Sequence, residues 1–446
     1  ENDFKIKLAV LPDKKDFIFY EGPPSANGMP GIHHVMARAI KDIFCRYKTL
    51  KGFKVNRKAG WDTHGLPIEL GVEKELNISK EDIGSKISIK DYNEACKKAV
   101  MKYTDVWNNL TERIGYWVDM ENPYITYKSK YIESVWWLLK NLHDKKLIYK
   151  GYSVQPYSPK AGTGLSSHEL NQPGTYQDIT DTTVTAQFEC VEESIPNFLK
   201  KYSKIYILAW TTTPWTLPSN TALTVGEKIE YCLIKTYNLY THQPINVVLA
   251  KELITKVFKT NFKEVSNRDE LIFNNDKEIP YIVVETFLGK DIVGMKYHQI
   301  WDDSPLPNDS PENAFRLISG DFVTTEDGTG IVHTAPTFGA DDAIAAKNAK
   351  PEVPPMLIKN KNGDLVPLVD LQGKFVKELG FLGGKFVKNE YYEKGKAPER
   401  SVDVEIAIKL KEENKAFRVE KYTHSYPNCW RTCLLYTSDA ADESTG

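Results

Sequence analysis

Residues 210–220 read Trp210-Thr211-Thr212-Thr213-Pro214-Trp215-Thr216-Leu217-Pro218-Ser219-Asn220. The preceding Ile205-Tyr206-Ile207-Leu208 is apolar and β-prone, so the threonines begin where a buried strand emerges. Pro214 and Pro218 then stop ladder pairing and leave hydroxyls and backbone donors free to meet a ligand. Four threonines and two tryptophans in so short a window are hard to explain as packing. The bland alternative is a threonine-rich sheet edge.

A second stretch, Asp327-Gly328-Thr329-Gly330-Ile331-Val332-His333-Thr334-Ala335-Pro336-Thr337-Phe338-Gly339-Ala340-Asp341-Asp342, supports the ligand-site reading. It is a glycine turn, a short apolar strand ending in a histidine, and a Pro/Gly loop closed by two carboxylates. Such a loop presents an anion to a ligand ammonium, and a hydrogen bond between the two is charge-assisted. The aspartates serve equally well as caps of a helix through Ala343-Ile344-Ala345-Ala346.

Working outward, the chain's 446 residues suffice for two or three domains. Its 58 basic and 60 acidic residues leave a net charge of −2, so any RNA contact must come from local basic patches. No apolar run is long enough to span a bilayer, and Glu1-Asn2-Asp3-Phe4-Lys5 does not read as a secretory signal. Six scattered cysteines give no disulfide framework, which favours a cytoplasmic location.

The first 150 residues alternate strand and helix. Phe17-Ile18-Phe19-Tyr20 reads as a buried strand, and a helix follows from about Ile32 to Leu50. Val35, Ala39, Ile40, Ile43, Phe44 and Tyr47 form that helix's apolar face. Phe53 to Arg57 reads as a second strand, which suggests half of a parallel α/β sheet. Helices dominate from 91 to 150, opened by an Asp91/Glu94 capping box. The stripe Val135, Trp136, Leu138, Leu139, Leu142 reads as core. From 175 to 345 short β runs at Tyr231–Ile234, Ile245–Leu249, Ile279–Glu285 and Phe322–Val323 indicate a β-rich insertion. The Lys- and Gly-rich stretch from 355 to 421 reads as a solvated charged face.

Gly22-Pro23-Pro24-Ser25-Ala26-Asn27-Gly28-Met29-Pro30-Gly31-Ile32-His33-His34 leaves a strand and opens a helix. Backbone N–H groups and the dipole at a helix start seat phosphates, and an imidazole there stabilises developing charge. Neither a P-loop nor a dinucleotide fingerprint occurs. The His-His pair lacks nearby carboxylates at ligand spacing, so no metal is expected there.

Together with Gly60-Trp61-Asp62-Thr63-His64-Gly65-Leu66-Pro67-Ile68-Glu69, these motifs resemble the class I aminoacyl-tRNA synthetases, and most closely the isoleucyl-tRNA synthetase family. The likeness runs from about residue 15 to 431. It implies an α/β fold: residues 1–150 as the N-terminal half of a Rossmann-like catalytic domain, 151–420 as an inserted β-rich editing domain, and 421–446 as a return toward the catalytic domain. It also implies ATP with Mg2+, isoleucine and tRNA(Ile) as substrates and partners, a monomer without membrane attachment, and hydrolysis of mischarged valyl-tRNA. By match to the family's positions, the Gly31–His34 signature contacts ATP with His34 in its place, and either His33 supplies the missing first imidazole or that histidine is dispensable here. Gly22, Pro23, Asp62 and His64 line the amino-acid and adenylate pocket. Thr211, Thr212, Thr213, Thr216, Asn220 and His333 surround the terminal adenosine and misplaced aminoacyl group, and Asp342 holds its ammonium. One missing methylene gives a hydrophobic pocket too little discrimination, and isoleucine against valine is the usual example of that limit.

The sequence departs from the family in three places. Gly31-Ile32-His33-His34 occupies the HIGH signature, with only His34 in its usual place. The first zinc-binding CxxC pair reads Ser158-Pro159-Lys160-Ala161, and Cys429 and Cys433 have the wrong spacing for the second, so no zinc is expected. Stoichiometric zinc surviving dialysis against chelator would contradict this. The KMSKS loop is missing, and Leu434 to Gly446 looks foreign, so this portion by itself is expected not to charge tRNA. The rival readings are an aminoacyl-tRNA deacylase and a non-catalytic tRNA-binding module.

Overall fold

The computed structural model describes residues 15–19, 21–149, 154–273, 278–429, 432, 434 and 437–438. Contacts divide the chain into two compact units, with the break between Tyr149 and Lys150.

In the first unit, β1 (Asp16–Phe17) pairs in parallel with β2 (Lys54–Val55), and β3 (Lys58–Trp61) with β4 (Asp119–Ile125). The intervening helix α1 spans Ile32–Leu50 as expected, and α2 (Leu66–Leu76), α3 (Ile89–Val100), α4 (Thr104–Arg113) and α5 (Ser129–Asp144) follow. Parallel neighbours joined through a helix are the α/β arrangement that the alternating sequence predicts.

Five local expectations need correction. The strand at 17–20 shrinks to Asp16–Phe17, with Ile18 exposed and Tyr20 outside the described residues. The cap of α3 is Ser88, whose Oγ accepts from Asp91 N–H at 3.1 Å, rather than Asp91 with Glu94. β4 interrupts the stretch read as helical. Most consequentially, the aromatic stripe of α5 is not core: Trp136 is 71% exposed and no residue of that helix is buried. The same inversion holds in α1, where Ile40, Ile43, Phe44 and Tyr47 are exposed and Arg38, Cys45 and Thr49 are buried. The Arg38 guanidinium lies 4.9 Å from the Trp107 ring and donates to Thr111 Oγ1 at 2.5 Å. A paired, stacked guanidinium therefore takes the inward place that the apolar stripe was expected to fill.

The second unit is built on one ten-stranded sheet. Its strands are β5 (Tyr176–Glu189), β6 (Ile205–Thr211), β7 (Ala222–Val225), β8 (Glu230–Tyr237), β9 (Pro244–Ala250), β10 (Phe262–Glu264), β11 (Ile279–Leu288), β12 (Arg316–Ser319), β13 (Ile331–Thr334) and β14 (Ala416–Pro427). The order β10-β11-β8-β9-β6-β13-β7-β12 runs along one path, while β5 takes the other edge of β6 and pairs with β14. Ile205, Ile207, Leu208 and Ala209 of β6 are fully buried, which explains a continuous apolar run instead of an alternating one. Three of the four expected β runs are strands, but Phe322–Val323 is loop. Residue 420 lies inside β14, which pairs with β5 through Pro427, so contacts carry the second unit past the boundary drawn at 420.

Candidate functional site

The branching of β6 brings the two distant motifs together. Its first half pairs with β9 at Ile205–Ile207, and its end pairs with β13 at Trp210↔Val332. The chain leaving Trp210 is thus set beside His333. The exit is a short 3-10 helix, Pro214–Ser219, with proline at its start and all six residues buried. Trp215 packs edge-on against Phe338, ring centres 5.0 Å apart, and donates its backbone N–H to Asp403 Oδ1 at 3.0 Å.

These elements enclose a cavity of about 470 Å³. Thr211, Thr212, Thr213, Thr216, His333 and Asp342 all line it, as do Trp210, Phe338, Gly339 and the loop from Phe322 to Gly330. The structure therefore joins six of the seven residues expected in the second unit. Asn220 stands apart: it is buried behind the histidine and does not line the cavity.

The histidine and the carboxylate have defined partners. His333 Nε2 lies 3.0 Å from Thr216 Oγ1 and Nδ1 lies 2.8 Å from Asn220 Nδ2. Burial lowers the imidazole to about 4, with Thr216 a partial offset. Asp342 sits in the first turn of α6 (Ala340–Asn348), but the residue at the cap position is Gly339. Its Oδ2 accepts from Ala335 N–H at 2.9 Å and so closes the Pro/Gly loop. Burial pushes its carboxyl up to about 6; the Ala335 bond opposes this and Asp341 adds to it. A Cβ at Gly339 would come 2.6 Å from Asp342 Oδ2, so the loop needs glycine there for the carboxylate to keep its place. Gly330 has φ +71°, and a Cβ would meet that of Ala250 at 2.4 Å.

In the first unit, Gly31 N–H donates to His34 Nδ1 at 2.9 Å, so a neutral His34 carries its proton on Nε2. His34 is lowered by burial, then by His33 and Arg38. Its ring is 3.8 Å from that of exposed His33 and meets Trp107 edge-on at 4.8 Å. Trp107 Nε1–H also donates to Gly28 O at 2.9 Å, which pins the loop to the helix start. Asp62 N–H donates to Pro24 O at 3.0 Å, and so ties the Gly22-Pro23-Pro24 turn to the Asp62–His64 segment. His64 Nδ1 lies 2.9 Å from Thr126 Oγ1, and Thr126 also accepts from Thr63 N–H. Sequence reasoning missed Trp107 and Thr126 as partners of the site. It also missed the 322–326 wall of the cavity, of which the Gly328-Thr329-Gly330 turn is the only local sign. Among the described residues no group of three His, Cys, Asp or Glu is placed to hold a metal, and no helix is long and apolar enough to cross a membrane.

Residues 1–304 match the family model described as "tRNA synthetases class I (I, L, M and V)". The chain is 57% identical over 456 residues to the isoleucine–tRNA ligase of Cytophaga hutchinsonii, covering 98% of this chain and 40% of that protein. It is 56% identical to that of Bacteroides fragilis (95% and 38% covered) and 43% identical to that of Clostridium tetani (96% and 35%). The chain thus spans about two fifths of the length of the curated relatives it matches. Among solved structures, one described as "The crystal structure of GlLeuRS-CP1" covers 53% of this chain and 99% of its own, at 14% identity and a TM-score of 0.34. With the model matching more than half of its residues, the chain belongs to the class I tRNA synthetases (I, L, M and V).

Proposed function

We propose that the chain is part of an isoleucine–tRNA ligase, and that the cavity of the second unit hydrolyses the ester of tRNA mischarged with valine. The observation that carries this is the convergence of Thr211–Thr213, Thr216, His333 and Asp342 on one cavity of about 470 Å³. Hydroxyls and backbone groups at the end of β6 receive the terminal adenosine. Asp342 Oδ1, the oxygen that Ala335 does not take, receives the ammonium of the aminoacyl group. The hydrolysis adds water across the ester bond, releasing valine and restoring the ribose hydroxyl.

The first unit, in this reading, binds isoleucine and ATP with its Mg2+. The start of the 19-residue helix α1 faces phosphate with its free N–H groups, and His34 Nε2–H donates to a phosphate oxygen. Asp62 and His64 contact the amino acid and adenylate. The direct test is release of valine from valyl-tRNA(Ile) by the purified chain, measured beside isoleucyl-tRNA(Ile) and ATP–pyrophosphate exchange. Preferential valine release is expected; deacylation no faster than the uncatalysed rate would refute the reading and leave a tRNA-binding module.

A pH profile follows from Asp342. Its carboxyl is ionised above about 6, whereas an α-ammonium of about 7.7–8.0 is charged only below that range. The ion pair therefore exists between the two, and kcat/KM for deacylation, corrected for uncatalysed hydrolysis, rises through about pH 6 and falls near 8. Asp342→Asn should abolish the acid limb; a limb that persists would assign it elsewhere.

A further inference from the structure

We infer that Tyr297 is a positioning residue of the cavity: acting through Asn220, it holds His333 as a neutral imidazole with its proton on Nε2. This rests on the hydrolytic reading of the cavity for its consequence, but not for its geometry.

The assignment follows from counting donors and acceptors outward from the backbone. Asn220 Nδ2 lies 2.7 Å from Ala222 O and 3.4 Å from Thr334 O, both carbonyls that only accept. That atom is therefore the amide NH2, and the amide oxygen, Oδ1, takes a 2.6 Å hydrogen bond from Tyr297 O–H. With the amide oriented from both ends, His333 Nδ1 at 2.8 Å must present a lone pair. The proton then resides on Nε2, which faces Thr216 Oγ1 at 3.0 Å. Thr216 can accept there because its own hydroxyl hydrogen goes to Thr213 O at 2.8 Å. The chain Tyr297–Asn220–His333–Thr216–Thr213 is satisfied at every link. A second proton on the ring would set N–H against N–H at Asn220.

Tyr297 is well built for this task. It is 2% exposed, and its ring meets Phe188 edge-on at 5.3 Å and Phe315 at 6.2 Å. Its backbone N–H donates to Phe315 O at 2.9 Å. Only the hydroxyl's direction is left to choose, and Asn220 sets it. The functional consequence is that His333 has no lone pair with which to take a proton from water, because Nδ1 is engaged and Nε2 is protonated. It acts as a fixed wall and hydrogen-bond donor at Thr216, and the general base of the reaction is some other group.

The test is nitrogen NMR of the chain labelled at histidine, with His333 assigned by its loss in His333→Gln. The expected signature is a lone-pair shift at Nδ1 and an N–H shift at Nε2, unchanged from pH 5.5 to 8. Asn220→Asp, which offers Nδ1 an acceptor, should place protons on both nitrogens at neutral pH. Tyr297→Phe should admit a second tautomer and slow valyl-tRNA deacylation about 3- to 10-fold at matched folded fraction, the size of one net hydrogen bond. Titration of wild-type His333 near neutrality, or a Tyr297→Phe variant with unaltered histidine signals and rate, would overturn the inference. The readouts separate the two claims. The expected spectra without deacylation would remove the hydrolytic reading alone, and deacylation with a titrating His333 would remove the tautomer lock alone.

Discussion

Replacing Asp342 with alanine is expected to slow valyl-tRNA deacylation about 10- to 150-fold, the equivalent of one charge-assisted hydrogen bond of roughly 1.5–3 kcal/mol. The side chain does two things in the structure. It closes the loop by accepting from Ala335 N–H, and it lines the cavity. Alanine removes both, so a fall in rate by itself would not separate binding from loop order. Asp342→Asn does separate them, because an amide oxygen still accepts from Ala335 while the charge is gone. The asparagine variant should melt like the parent and still lose most of its deacylation. Asp341→Ala should change the rate little, since Asp341 is exposed and does not line the cavity. Full activity of Asp342→Asn at matched folded fraction would end the ammonium assignment, and an alanine variant that loses only thermal stability would leave Asp342 a loop staple.

The second large effect concerns a buried ion cluster behind the threonine run. Lys388 is 4% exposed, with its Nζ 3.2 Å from Asp403 Oδ2 and 3.3 Å from Asp181 Oδ2. Burial works against its charge, but Asp403, Tyr426 and Asp181 together outweigh this and raise its pKa, so the ammonium stays charged. Asp403, at the second position of α7 (Val402–Glu412), spends its other oxygen on Trp215 N–H and so anchors the 3-10 turn that carries Thr216. Lys388→Met should destabilise the second unit by about 3–5 kcal/mol, because it strands a buried carboxylate without its counter-charge. Urea unfolding followed by fluorescence measures this directly. Lys388→Met combined with Asp403→Asn should recover part of the loss. A single variant within about 1 kcal/mol of the parent would show that the cluster contributes little.

Much of the site was legible because its signals are local. The β-prone run into Trp210, the prolines at 214 and 218, and the glycine turn before His333 each constrain the backbone within a few residues. Those constraints survive in the strand, the 3-10 turn and the loop that the structure contains. Helix α1 was read with its ends at Ile32 and Leu50 for the same reason. The Lys388–Asp403 pair was invisible in a stretch read as solvated charge, since two residues 15 positions apart carry no mark of facing each other. Tyr297 was equally silent: an isolated tyrosine in a loop says nothing about an amide 77 positions away.

The sequence by itself determined the family, the α/β alternation of the first unit, the β-rich character of the second, and the two motifs that line the cavity. These follow from backbone preference and side-chain type, which act over short spans of chain. The tertiary structure decided which sides of the helices are buried, and it set Arg38 inward on α1 while leaving the aromatic stripe of α5 exposed. It also decided that Thr216 and His333, 117 positions apart, share a hydrogen bond, and that Asn220 stands behind the ring instead of in the cavity. Burial and hydrogen-bond direction depend on what arrives from elsewhere in the chain, and here that was set by the branching of β6, a pairing of strands that no local pattern encodes.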